Sequence, residues 1–251
     1  MACGGFKEII GVVLAGGEGK RLRPLTYYFQ KCMIPIGTRQ KPLLEYILHH
    51  LKRHGITDIR LLVGYKHEQI KNYFDDGSRF GMRVGYFLDD PSLRGSGGAL
   101  LKAAEKGAFD GAETLLVYYG DILSNIDLSR MLRQHLESRS SSTLALARGF
   151  EVPVGVAELE GRSIKRWVEK PRLDIYAGIG IVALNTHVIG DLRELAAGRD
   201  ELDIMGDLIP HLIKKGRRVE AYVTEDFWYD VGSTEKYEKL NSDLIEAIFD
   251  I

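Results

Sequence analysis

Apolar residues recur along this chain in two rhythms. Ile9–Ala15 is an almost unbroken apolar run that ends in a glycine-rich turn, the pattern of a strand buried on both faces. Leu44, Ile47, Leu48 and Leu51 then follow the i, i+3, i+4, i+7 spacing of a helix with one buried stripe. The same reading predicts strands at 59–63 and 84–88, helices at His67–Phe74 and 98–106, and a strand at Thr114–Tyr119 that ends in Gly120 and Asp121. Leu128, Met131, Leu132, His135 and Leu136 line one face of a further helix. Strands alternating with helices in this way predict a doubly wound, largely parallel sheet. After Ser142 the rhythm changes. Short strands at 143–148, 154–159, Ser163–Val168 and 178–185 follow one another with little helix between them, and helices at 205–215 and 234–248 flank a last strand, Val219–Thr224.

With no repeat, low-complexity tract or Pro-rich linker, residues 1–251 read as one domain with two lobes. The first covers 8–142 and the second 143–251, and together they make a Rossmann-like doubly wound mixed sheet. Lys plus Arg number 34 and Asp plus Glu 35, a formal net charge of −1, so no global field points to nucleic acid and phosphate binding has to be local. Cys3 and Cys32 are too few for a disulfide framework or a cysteine-rich metal site. No apolar run approaches the roughly 20 residues of a membrane span, and no signal-like stretch opens the chain. A cytoplasmic protein with neither nucleic-acid nor membrane partners is expected.

Candidate chemistry starts in the turn after the first strand, Leu14-Ala15-Gly16-Gly17-Glu18-Gly19-Lys20-Arg21. Backbone N–H groups exposed by glycines form an anion-binding nest, and an arginine adds a bidentate fork for phosphate oxygens. Two nucleotide motifs are excluded. A Walker loop needs Ser or Thr after Gly19-Lys20, where Arg21 stands, and a glycine where Leu14 stands. A dinucleotide fingerprint begun at Gly17 needs a third glycine where Leu22 stands. Taken alone, the turn reads equally as a tight structural turn with a solvated basic rim.

The longer string Gly-Gly-x-Gly-x-Arg-Leu-x-Pro-Leu-Thr from Gly16 to Thr26 is followed by Lys31, Met33 and Pro35, and then by Lys41-Pro42-Leu43-Leu44-Glu45-Tyr46. Val63-Gly64-Tyr65-Lys66, Gly95-Ser96-Gly97-Gly98-Ala99-Leu100, Gly120-Asp121, Val168-Glu169-Lys170-Pro171 and Trp228-Tyr229-Asp230-Val231-Gly232 complete the set. In this order the blocks resemble the sugar-1-phosphate nucleotidylyltransferases, whose members include glucose-1-phosphate thymidylyltransferase and mannose-1-phosphate guanylyltransferase. The resemblance implies the nucleotide-diphospho-sugar transferase fold and a reaction between a nucleoside triphosphate and a sugar 1-phosphate, giving an NDP-sugar and pyrophosphate. It implies that Arg21 and the Gly16–Gly19 backbone hold the triphosphate and that Lys31 reaches the reacting phosphates. By the same resemblance Asp121 and Asp230 hold Mg²⁺, which takes one or two carboxylates and fills its shell with phosphate oxygens and water. Lys170 is then the sugar-phosphate lysine, Glu169 the acceptor of sugar hydroxyls, and Gly155 and Gly178 the points where backbone approaches the sugar. Val154 and Tyr176 depart from the Tyr-Gly and Asn-x-Gly patterns of the family, and Gln30 and Cys32 replace the prolines that flank its lysine.

Asp89 and Asp90, before Gly95 and Ser96, stand where relatives contact the base. A carboxylate there suits the adjacent N1–H and N2–H₂ donors of guanine, so GTP with a hexose or heptose 1-phosphate is expected. Three other readings stay open: a glucose-1-phosphate thymidylyl- or uridylyltransferase, a cytidylyltransferase for a non-sugar phosphate, and a non-catalytic regulatory subunit that binds nucleotide sugars. The chain reads as a stand-alone catalytic domain, with a homo-oligomer as a further possibility. His49, His50 and His54 read as polar positions on exposed or boundary phases of a helix, not as metal ligands.

Overall fold

The computed structural model describes residues 8–152 and 154–249; Cys3 and the two ends of the predicted domain lie outside them. The chain runs through β1 (Ile9–Ala15), a short hairpin of β2 (Pro35–Ile36) and β3 (Lys41–Pro42), α1 (Leu43–Arg53), β4 (Asp58–Val63), α2 (His67–Phe74), β5 (Arg83–Leu88), α3 (Gly95–Glu105), β6 (Thr114–Tyr119), β7 (Ile122–Ser124) and α4 (Leu128–Ser138). It continues with β8 (Ser142–Glu151), β9 (Val156–Glu160), β10 (Ser163–Val168), β11 (Arg172–Asn185), α5 (Val188–Leu195), α6 (Ile209–Lys214), β12 (Val219–Thr224), β13 (Trp228–Asp230), α7 (Thr234–Glu238) and α8 (Ser242–Ile248).

Seven strands form one sheet in the order β12-β8-β11-β6-β1-β4-β5. All neighbours are parallel except at β11, which runs antiparallel to both β6 and β8. The sheet is therefore mixed and doubly wound, as expected. It continues without a break past residue 142, because β8, β11 and β12 extend it, while β9 and β10 pair as a separate two-stranded sheet. Strand order reverses at β1, with β4 and β5 on one side and β6 on the other. Ligands of such sheets sit outside the carboxyl ends of the strands at this reversal.

Both faces of the sheet are covered, which explains the unbroken apolar run of β1. Val13 and Ala15 join the core packed by α1, α2 and α4, while Ile10 and Val12 join the core packed by α3, α5 and α6. His50 corrects the sequence reading. It is buried at 5 % exposure, its Nε2 meets the Ile126 carbonyl oxygen at 2.9 Å, and burial pushes its pKa down to about 3. It is a neutral core histidine.

Other differences come from contacts distant in sequence. α3 begins at Gly95, three residues before the predicted start, because the Gly97 and Gly98 N–H groups donate to the Leu202 carbonyl at 2.8 and 3.1 Å. First-turn donors have no partner inside their own helix, and the 200–203 segment supplies one. The predicted helix at 234–248 is two helices, with Asn241 accepting from the Leu244 N–H at 3.0 Å to cap the second. Among the described residues no helix is long and apolar enough to cross a membrane.

Candidate active site

A cavity of about 640 Å³ opens at the carboxyl ends of β1, β4 and β6, at the strand-order reversal. Leu14, Ala15, Gly16, Gly17 and Glu18 line it from the β1 turn, Asp89, Asp90, Gly95 and Ser96 from the segment after β5 and the start of α3, and Lys31 and Asp121 complete the wall. Gly19, Lys20 and Arg21 continue the turn beyond this wall. Gly19 takes φ +63°, a left-handed conformation that lets the chain fold back, and the Thr26 hydroxyl donates to its carbonyl at 2.9 Å. Lys20 is held by Glu18 at 3.2 Å, whereas the exposed Arg21 guanidinium has no hydrogen bond or ion pair among the described residues.

Asp89 and Asp90 take different roles although they are neighbours. Asp90 closes a turn, accepting from the Ser92 N–H at 2.9 Å, and Ser92 holds its carboxyl below the ordinary range. Asp89 packs against the glycine turn. A Cβ at Gly16 would lie 1.9 Å from Asp89 Oδ2, so only glycine fits there. The Asp89 carboxylate has no hydrogen bond or ion pair among the described residues, and burial pushes its pKa up, opposed only by Lys106.

Lys31 stands on a short turn that the preceding residue anchors. Gln30 is fully buried; its side-chain oxygen accepts from the Cys32 N–H at 2.6 Å, its Nε2 donates to the Ala15 carbonyl at 2.7 Å, and its own N–H donates to Gln69 Oε1 at 2.6 Å. These bonds tie the short 3₁₀ turn Lys31–Met33 to the end of β1. Gln30, where the family has a proline, thus ties down the turn that carries the lysine. The signal in the sequence was a polar residue beside a candidate catalytic lysine.

Lys31 forms an ion pair with Asp121, and both side chains are largely buried, at 14 % and 22 % exposure. Asp121 lies just before β7, and β7 pairs antiparallel with β13 so that Ile122 faces Asp230. The Val231 N–H donates to the Asp121 carbonyl at 2.8 Å, so the two aspartates sit at one end of the same two-stranded ribbon. Asp230 Oδ2 pairs with Lys236 at 2.5 Å, and its Oδ1 is buried with no hydrogen-bond partner among the described residues. A buried carboxylate oxygen without a donor is costly unless a ligand or cation completes it.

Gly155, Glu169, Lys170 and Gly178 lie outside the cavity wall, on the β9–β10 hairpin and β11. Gly178 faces Met205 Cε, 3.6 Å from a would-be Cβ. Lys170 takes φ +46° just after β10 and lies close enough to α7 to help Lys239 hold the Glu235 carboxyl down. Of this second group, Lys170 thus lies on the side of α7. Tyr119 lines the cavity and donates to Ser96 Oγ at 3.3 Å, while Tyr118 is wholly buried.

The fold, the glycine turn and the lysine–aspartate pair define a candidate site at the strand-order reversal of an α/β sheet, and comparison with known proteins gives the family. Residues 10–247 match the profile of the nucleotidyl transferase family, and the chain belongs to it. Mannose-1-phosphate guanylyltransferase of Mycobacterium tuberculosis is 30 % identical over 248 residues, covering 96 % of this chain and 66 % of that protein. UTP–glucose-1-phosphate uridylyltransferase of Synechocystis is 31 % identical over 242 residues, covering 90 % of this chain and 61 % of that one. The chain thus spans slightly under two thirds of the length of these relatives. The crystal structure of a Bacillus anthracis protein assigned as a glucose-1-phosphate thymidylyltransferase superposes with a TM-score of 0.77 at 24 % identity, covering 97 % of each chain, which shows the fold.

Proposed function

We propose that this chain transfers a nucleotidyl group from a nucleoside triphosphate to a sugar 1-phosphate and releases pyrophosphate. The observation that carries this reading is the meeting of Lys31 and Asp121 in the wall of a nucleotide-sized cavity, with Asp230 brought beside Asp121 by the β7–β13 ribbon. An oxygen of the sugar phosphate bonds to the α-phosphorus, the bond from that phosphorus to the bridging oxygen breaks, and pyrophosphate leaves with the electron pair. The attacking oxygen is already anionic, so no side chain has to remove a proton. The reaction needs alignment and relief of crowded negative charge. The Gly16–Gly19 backbone and Arg21 hold the triphosphate, Lys31 reaches the reacting phosphates, Lys170 takes the sugar phosphate and Glu169 accepts sugar hydroxyls.

Asp121 and Asp230 fit Mg²⁺: both are carboxylates at one ribbon end, and Asp230 Oδ1 lacks a partner among the described residues. Bound there, the ion would neutralise triphosphate oxygens and the departing pyrophosphate. Two substitutions test the placement of the substrates. Arg21→Ala raises KM for the triphosphate and Lys170→Ala raises KM for the sugar phosphate, each by about ten- to a hundredfold, the worth of one charge-assisted contact. If both variants impaired only triphosphate use, the sugar-phosphate site would lie elsewhere.

Asp89 supports GTP as the triphosphate. An unpaired, half-buried carboxylate gains most from a base edge with two adjacent donors, which guanine has and the pyrimidines lack. Asp89→Asn sets an amide donor against a guanine donor and lowers kcat/KM for GTP about tenfold, with UTP, dTTP and CTP less affected. Asp90→Asn changes the ranking little, because its carboxylate serves the Ser92 turn. A wild-type enzyme that prefers UTP or dTTP would overturn the guanine reading and leave nucleotidyl transfer standing.

A further inference from the structure

The β9–β10 hairpin forms a small sheet of its own with one exposed apolar face. Ile164 pairs with Leu159 and Trp167 with Ala157, and the register shifts between Ile164 and Arg166. Residues three apart on a regular strand face opposite ways; the shift brings Ile164 and Trp167 to the same side. Trp167 is 58 % exposed, an unusual position for the largest apolar side chain. Its surroundings give it a use. A Cβ at Gly155 would lie 2.0 Å from Trp167 Cζ2 and 2.8 Å from Glu169 Oε2. The space that Gly155 leaves is therefore filled by the indole edge and the Glu169 carboxylate, not left open for backbone to meet a sugar.

We propose that Trp167 is the platform on which the sugar ring of the sugar 1-phosphate stacks. The inference rests on the nucleotidyl-transfer reading of this site and adds a residue that sets its sugar specificity. A pyranose presents a C–H face, a rim of hydroxyls and, here, a 1-phosphate. Trp167, Glu169 and Lys170 supply, in chain order, an apolar ring, an acceptor and a cation. None of the three has a hydrogen bond or ion pair among the described residues, so all are available to a ligand. Lys170 leaves the strand at φ +46° and lies near Glu235 of α7, the helix whose Lys236 pairs with Asp230.

The test combines kinetics with fluorescence, since Trp167 and Trp228 are the two tryptophans of the chain. Trp167→Ala should raise KM for the sugar phosphate about tenfold with KM for the triphosphate within about twofold, and Trp167→Phe should restore most of the loss. Titrating glucose 1-phosphate or mannose 1-phosphate, with and without a non-hydrolysable triphosphate, should change the emission of the wild-type protein. The change should vanish in Trp167→Phe and should not appear with inorganic phosphate alone. An active enzyme whose sugar-phosphate KM is unmoved by Trp167→Ala, or whose emission does not respond, overturns the platform. So does a variant that changes only its oligomeric state, which would assign the apolar face to protein contact. Absence of turnover with every sugar 1-phosphate would instead overturn the nucleotidyl-transfer reading itself.

Discussion

Replacing Asp121 or Asp230 by Asn lowers turnover at limiting Mg²⁺ by about a thousandfold, roughly 4 kcal/mol of transition-state stabilisation, in a chain that still folds. The size follows from the reaction. In the proposed reaction four phosphate groups meet in one place, and the charge that develops on the leaving pyrophosphate has to be met by preorganised positive charge. Asn keeps the shape of the side chain and half of its acceptor capacity, so the ribbon that holds both residues stays paired through its backbone. Stability should change little at Asp230, whose Oδ1 has no partner to lose among the described residues and whose Oδ2 pairs with the half-exposed Lys236, an ion pair worth about 0–1 kcal/mol. The measurement is kcat against Mg²⁺ concentration for each variant, with thermal unfolding as the control for folding. Near-wild-type kcat in either folded variant at low Mg²⁺ removes that residue from the metal site.

Lys31→Ala lowers kcat by about a hundred- to a thousandfold, and it moves metal dependence the other way. Lys31 is paired with Asp121 in the structure, so the ammonium competes with a divalent ion for the same carboxylate. Removing it frees Asp121, and the half-saturating Mg²⁺ concentration falls while the reacting phosphates lose their cation. An Asp121→Asn enzyme shows the opposite, a higher Mg²⁺ requirement together with slow turnover. The opposed signs separate a lysine that acts on substrate from one that only neutralises an aspartate. A Lys31→Ala enzyme with unchanged kcat, or one that needs more Mg²⁺, would show that the lysine serves the aspartate alone. Gln30 gives a structural corollary, because its bonds to Ala15, Gln69 and the Cys32 N–H hold the lysine turn in place.

What the sequence by itself determined is the part of the molecule built from local signals. The β1 run and the turn after it were legible because a doubly buried strand is continuously apolar and a chain that folds back through a left-handed position marks it with glycine. The helical stripes of α1 and α4 were legible for the same reason, since period and burial coincide within one segment. Tertiary structure decided everything that depends on partners distant in the chain. β7 and β13 have three residues each, too few to show a period, and they exist because they pair across a separation such as the 103 residues between Ser124 and Phe227, whose hydroxyl and carbonyl meet at 3.0 Å. That pairing alone sets Asp121 beside Asp230. The early start of α3 needed the Leu202 carbonyl, and the partners of Gln30 came from β1 and α2. Asp89 and Asp90 show the division within two residues: identical side chains in one loop, one turned into the cavity against Gly16 and the other onto its own turn. Sequence carries a residue's chemistry, but the direction of its side chain is set by the backbone at that position and by what packs against it.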